Sequence, residues 1–104
     1  MDKHKVYLSE PAESDLRDIV RYISSQLDAP ITALKMMDLF EDAMGSLEEM
    51  PHRCPLLSDE RLATMGYRKL HVKNYFVFYT IDEIHNVVDV ERILHSRRDW
   101  QRIL

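Results

Sequence analysis

The chain has 104 residues, of which 45% are hydrophobic and 31% charged, with a formal net charge of −4. These values fit one soluble globular domain spanning 1–104 and exclude a disordered chain, and the lone Cys54 excludes an internal disulfide framework. No apolar run approaches the ~18 residues that span a membrane and no signal-peptide core follows Met1, so the expectation is a cytoplasmic protein that does not engage membranes.

Residues 5–8 read as a short opening strand, with Val6 and Leu8 alternating with polar or amphipathic neighbours. Ser9, Glu10 and Pro11 then combine a capping hydroxyl, an acid and a first-turn proline, which predicts a helix start. The helix is expected to run to about residue 26, with Ala12, Leu16, Ile19, Val20, Ile23 and Leu27 forming one stripe. Asp28-Ala29-Pro30 breaks it and starts a second helix over about 30–50. Ala33, Met36, Met37, Phe40, Ala43, Met44 and Leu47 make its apolar face, which Leu34 and Leu39 widen. So short a connection predicts an antiparallel αα-hairpin.

Pro51 ends the second helix, and residues 52–66 read as a loop containing His52, Cys54 and a polar Ser58-Asp59-Glu60-Arg61 run. His52 and Cys54 have no second ligand pair at a usual spacing, so neither a metal site nor any cofactor is expected.

Three strands are predicted next, over 67–73, 75–81 and 87–95, joined at Asn74 and by a polar loop at 82–86. Their proximity implies an antiparallel meander. Alternation assigns Leu70, Val72, Val88, Val90 and Leu94 to the face under the helices. Lys69, His71, Lys73, Glu91 and His95 would then lie opposite. That face is either plainly solvated, as such a pattern usually implies, or a target-binding surface; the aromatic run Tyr75–Tyr79 between them weakens the first reading. Residues 1–60 hold six Lys/Arg against thirteen Asp/Glu, whereas residues 61–104 hold eight against five. The basic half favours polyanions locally, while the overall acidity opposes strong nonspecific nucleic-acid binding. After Ser96-Arg97-Arg98, Asp99 is placed to cap a short final helix in which Trp100, Ile103 and Leu104 form an apolar patch.

The fold class is therefore α+β: an N-terminal strand, an αα-hairpin, a three-stranded antiparallel meander and a short C-terminal helix. In order and spacing, several motifs resemble toxins of the RelE/ParE superfamily, the toxic halves of type II toxin–antitoxin pairs. They are Ala12-x-x-Asp15-Leu16-x-x-Ile19, Tyr22-Ile23, Leu47-x-x-x-Pro51, Tyr67-Arg68-x-Leu70-x-Val72-x-Asn74-Tyr75-x-Val77-x-Tyr79 and Val90-x-Arg92-Ile93-Leu94-His95-x-Arg97-Arg98-Asp99. The resemblance covers nearly the whole chain and agrees with the fold read from periodicity.

That resemblance implies growth inhibition, by one of two routes. A RelE-like toxin cleaves mRNA in the ribosomal A site and is itself an enzyme. Here His95 and His71 would move protons while Arg92, Lys69 and Arg68 met phosphate charge. A ParE-like toxin inhibits DNA gyrase by binding, and Arg97, Arg98, Asp99 and Trp100 would engage the target. The net acidity and the ending Ile93–Asp99 lie nearer the ParE-like branch. A third reading is an inactive module that binds only its antitoxin. Each route implies a hetero-oligomer with a small cognate antitoxin, docked on the helical hairpin and the aromatic strand at Leu39, Tyr75, Val77 and Tyr79.

Overall fold

The computed structural model describes residues 3–104. Strand β1 (Lys5–Leu8) leads into helix α1 (Glu10–Arg21), which continues as a π-helical turn at Tyr22–Gln26. Helix α2 (Pro30–Gly45) follows, then two single 3-10 turns and a five-residue helix α3 (Glu60–Thr64). Strands β2 (Arg68–Val72), β3 (Tyr75–Asp82) and β4 (Val87–His95) precede the short helix α4 (Trp100–Ile103). The sheet order is β1-β4-β3-β2; the meander is antiparallel, and β1 joins its edge parallel to β4. No helix among the described residues is long and apolar enough to cross a membrane.

The local chemistry follows the sequence closely. Ser9 Oγ accepts the Ala12 N–H at 3.1 Å and so caps α1. Asp28 adopts a left-handed conformation (φ 49°) between the helices, and Pro30 opens α2. Lys73 at φ 53° closes the two-residue β2–β3 turn beside Asn74. In the β3–β4 loop, the Asp82 carboxylate accepts the Ile84 and His85 N–H groups, an Asx turn that reverses the chain.

α1 and α2 cover one face of the sheet. Ala12 and Ile23 of the first helical segment and Ala33, Met36, Phe40, Met44 and Leu47 of the second pack on Leu70, Val72, Val77, Tyr79, Val88, Val90 and Ile93. Three expectations are corrected here. Leu27 and Leu34 do not enter this core; both are more than half exposed, and Leu39 is only partly covered. The second helix stops at Gly45 rather than near residue 50. Leu94 lies on the opposite face, because a β-bulge interrupts the β3–β4 register.

In that bulge Tyr79 pairs with Val90 and Phe78 with Arg92, leaving Glu91 unpaired. The extra residue flips the alternation beyond it, so Ile93 and His95 turn toward the helices and Arg92 and Leu94 turn away. The bulge lies where β1 ends, since the last β1–β4 pair is Leu8↔Val90. Backbone groups of β4 that β1 no longer reaches are satisfied by α1 and its cap. Ser9 N–H donates to Val90 O at 2.9 Å and Ser9 Oγ to Glu91 O at 2.8 Å, while Asp15 Oδ2 accepts the Ile93 N–H at 2.9 Å. Asp15 also accepts two bonds from the Arg92 guanidinium, at 2.7 and 2.8 Å.

Asp15→Ala leaves a half-buried guanidinium and the Ile93 N–H without their acceptor. A loss of about 2–3 kcal/mol is expected, read as a lower urea midpoint at unchanged m-value. Asp15→Asn, which keeps one acceptor oxygen, should lose less.

Candidate functional site

The sheet face turned away from the α-hairpin is where sequence reasoning put a target surface, and it is only partly open. The loop 54–58, α3 and α4 fold over its β2 side and build a second small core. Leu57, Leu62, Tyr67, Phe78 and Leu94 are buried there, with Phe76, Trp100, Ile103 and Leu104 packed around them. α3 was read as loop. Its signals were present in the chain: Asp59, whose carboxylate accepts the Leu62 N–H at 3.1 Å, a buried Leu62, and Gly66 at φ 86° just past the helix end.

Trp100 is half-buried against Phe78, with ring centroids 5.4 Å apart, and is not a free anchor. Lys69 Nζ lies 4.3 Å from the Phe76 centroid and 5.4 Å from that of Trp100, a cation–π bridge between the strand and α4. Arg61 ties α3 to α4 by donating to Gln101 O at 2.8 Å and Leu104 O at 3.5 Å. Asp99 stands at the N-cap of α4, but its side chain makes no capping bond and pairs instead with Arg102 at 3.3 Å. Arg97 and Arg98 are exposed in the turn before it.

Of the five residues proposed for catalysis, Lys69, His71 and Arg92 share the outer face of the sheet, whereas Arg68 and His95 lie on the helix side. His71 is exposed on the outer face, edge-on to Phe76 at 4.9 Å. His95, carried past the bulge, faces the α-hairpin side against Tyr75 at 5.3 Å, which corrects its expected side. Its Nδ1 accepts the Arg97 N–H at 3.1 Å, so the imidazole shapes the turn after β4. Arg92 is held by Asp15 on both sides of its fork. The same bond raises its pKa above the ordinary arginine value, against the opposing effect of burial. Arg68 donates to the carbonyls of Cys54 and His52. Lys69 is engaged by the Phe76 and Trp100 rings.

The docking residues divide as well. Tyr75 is half-buried beside Phe40, at 5.6 Å, and burial followed by the nearby Tyr22 raises its hydroxyl pKa. Leu39 lines a shallow groove of about 420 Å³ between α2 and β2, with Asp42, Ala43, Val72 and Lys73. Val77 and Tyr79 are fully enclosed beneath the helices, a correction to the exposed aromatic strand expected there. The Tyr79 hydroxyl donates to Pro51 O at 2.7 Å, and burial, followed by the Cys54 thiol, raises its pKa. What sequence reasoning missed is a solvent-facing apolar band at the tip of the hairpin: Leu27, Ile31 at 70% and Leu34 at 67% exposure.

At the β1 side the outer face is acidic, carrying Asp89 and Glu91 beside Thr80 and Tyr7. Burial, then the Asp89 charge, raises the Glu91 pKa, against a weak hydrogen bond from Thr80. His52 pairs with Glu83 at 2.9 Å at the far end of the sheet. Among the described residues no three His, Cys, Asp or Glu side chains form a metal-holding group.

With this geometry in hand, the relatives can be placed. The chain superposes on a chromosomal ParDE toxin–antitoxin system from P. aeruginosa with a TM-score of 0.72 at 17% identity, covering 89% of this chain and 96% of that one. It superposes on the toxin–antitoxin complex RelBE2 from Mycobacterium tuberculosis with a TM-score of 0.64 at 23% identity, covering 89% and 98%. No curated protein matches it in sequence. The fold is that of the RelE/ParE superfamily toxins. Within it, the chain belongs to the family of ParE toxins of type II toxin–antitoxin systems, parDE, whose profile matches residues 6–100.

Because the folded Glu91 pKa lies above its unfolded value, the stability linked to its protonation is present at acid pH and lost as pH rises through the folded pKa. Glu91→Gln should therefore unfold later than the parent in urea at pH 7. The difference should vanish as pH falls below the ordinary glutamate value of 4.5.

Proposed function

We propose that this toxin acts as a ParE-like inhibitor that binds DNA gyrase in the cytoplasm, and that a small cognate antitoxin neutralises it in a hetero-oligomer. The supporting observation is the separation of the two histidines a ribonuclease would use, together with the engagement of its arginine. His71 and His95 lie on opposite faces of the sheet, and the Arg92 fork is filled by Asp15. In-line attack by a ribose hydroxyl requires a base, an acid and phosphate-neutralising cations within hydrogen-bond reach of one another. The acidic strip at Asp89 and Glu91 adds repulsion toward an RNA backbone on the same outer face.

A binding toxin needs presentation rather than chemistry, and the exposed Arg97 and Arg98 at the end of β4 supply it. His95 supports that turn from below through the Arg97 N–H. For the antitoxin, the apolar band of Leu27, Ile31 and Leu34 with the Leu39 groove fits an amphipathic or extended segment laid along α2. Covering the band removes apolar surface from water, and tight binding at saturation adds several kcal/mol to the toxin's own stability by mass action.

Supercoiling, mRNA-cleavage, growth and binding assays test these assignments. Purified toxin should inhibit gyrase supercoiling while leaving ribosome-programmed mRNA uncut, and His95→Gln should still arrest growth. Arg97→Glu with Arg98→Glu should weaken gyrase inhibition by roughly tenfold. This pair is preferred to truncation after Arg97, which would strip Trp100, Ile103 and Leu104 from the second core. Message cut in the A site with supercoiling unaffected overturns the gyrase assignment, and absence of any arrest leaves only an antitoxin-binding module. Leu34→Asp, at an exposed position, should fold normally yet weaken capture by the co-expressed antitoxin by about 1–3 kcal/mol in a calorimetric titration.

A further inference from the structure

Between loop 54–58 and α4 lies a cavity of about 350 Å³ that the fold itself does not fill. Its walls include Pro55, Leu56, Leu57, Lys69, Trp100 and Gln101. Leu56 is 46% exposed at its mouth. Both walls are fixed: Leu57 N–H bonds Tyr67 O at 3.0 Å, holding the loop to the start of β2, and Arg61 holds α4 through two carbonyls. The surroundings are net basic. Lys69 is the one charged residue of the lining; Arg61, bonded to Gln101 O, and Arg102, paired with Asp99, adjoin it, and Arg97 and Arg98 are exposed in the turn before Trp100.

We propose that this cavity is a socket for a protein segment that presents one apolar side chain flanked by carboxylates. This inference rests on the gyrase-binding assignment and specifies how such a target is gripped: the toxin supplies the hole and the partner the anchor. Three features select a peptide. Pro55, Leu56, Leu57 and Trp100 give the lining an apolar side that suits an aliphatic or aromatic side chain, beside the polar Ser58, Lys69 and Gln101. The basic rim complements carboxylates on either side of it. Trp100 has Phe78 against it and the Lys69 ammonium over its ring, so it offers no open stacking platform to a nucleobase.

Trp100 is the only tryptophan of the chain, so its emission reports on the socket directly. The probes are a blocked Glu-Asp-Leu-Asp-Glu peptide, its lysine counterpart with the same central leucine, and an oligothymidylate. The acidic peptide should change Trp100 emission saturably. Its affinity should fall about threefold or more between low and physiological salt, as expected for screened charges. Leu56→Arg, which blocks the mouth, and Gln101→Glu, which reverses the rim, should each weaken it about tenfold, a loss of about 1.4 kcal/mol. Both positions are solvent-exposed, and an unchanged urea midpoint for either variant excludes misfolding. No saturable change with the acidic peptide, an equal response to the lysine peptide, or a response to the oligothymidylate alone overturns the socket.

The same variants separate this inference from the gyrase assignment. If the wild-type protein inhibits supercoiling and both variants inhibit equally well, the socket is wrong and the gyrase assignment stands. If the acidic peptide binds as expected and supercoiling is untouched, the socket stands and belongs to another protein target.

Discussion

The seam between α1 and β4 at the bulge is the constraint on which the rest of the molecule depends. Beyond Val90, β4 has lost β1 as a neighbour, and the bulge at Glu91 breaks its ladder with β3. Left alone, that point would expose unpaired backbone groups in the middle of the sheet, a cost of about 1–3 kcal/mol for each one buried without a partner. Ser9 and Asp15 prevent it. Ser9 caps α1 with the same hydroxyl that it donates to Glu91 O, so one side chain ends a strand, starts a helix and closes a bulge. Asp15, one turn and a half further along α1, takes the Ile93 N–H and the Arg92 fork together. The two residues set both the position of α1 along β4 and its distance from the sheet.

The bulge then divides the labour between the sheet's faces. Because alternation reverses after Glu91, the end of β4 contributes Ile93 to the large core and Leu94 to the small one. Without the reversal, Leu94 would compete for space under Phe40 and Tyr75, and the outer core of Phe78, Tyr67 and Leu62 would lose a wall. The small core in turn gives α4 a place to rest. A four-residue helix has no stability of its own, and it persists because Trp100 meets Phe78 and Arg61 takes its carbonyls. The exposed arginines of the preceding turn are thus presented between two anchored points, His95 Nδ1 on one side and Trp100 on the other.

The elements that depend on local periodicity were legible in the sequence, and the features that depend on register were not. The α1 and α2 stripes, the Ser9 cap, the Pro30 start and the strand limits follow from residue spacing and turn chemistry within a few positions. The side-chain assignment of β4 failed after Glu91 because a single inserted residue has no compositional mark in a run such as Val88-Asp89-Val90-Glu91-Arg92-Ile93-Leu94. The adjacent apolar pair Ile93-Leu94 was the available hint, since two-faced burial at the strand end explains it. The Asp15–Arg92 pair, 77 positions apart, sits inside two of the recognised motifs, yet no spacing rule joins them. At the candidate site, the exposure of Arg97 and Arg98 was legible from charge and turn context. The enclosure of Val77 and Tyr79 beneath the α-hairpin and of Phe78 beneath α4 was not, because an aromatic strand reads alike whichever helices cover its two faces.

The surface charge follows from this architecture and explains why a member of a family of toxins can remain net acidic. Exposed carboxylates are frequent on α1 and α2, and Asp89 and Glu91 add to them on the β1 side of the sheet. The cations collect where β4 ends and α3 meets α4, so the local field there is positive although the chain carries −4. Charges more than about 8–10 Å apart are largely screened at physiological salt, so each pole acts on its own neighbours rather than through the net charge. The two ends of the chain thus differ in surface chemistry, exposed arginines at the close of β4 and an apolar band at the tip of the hairpin.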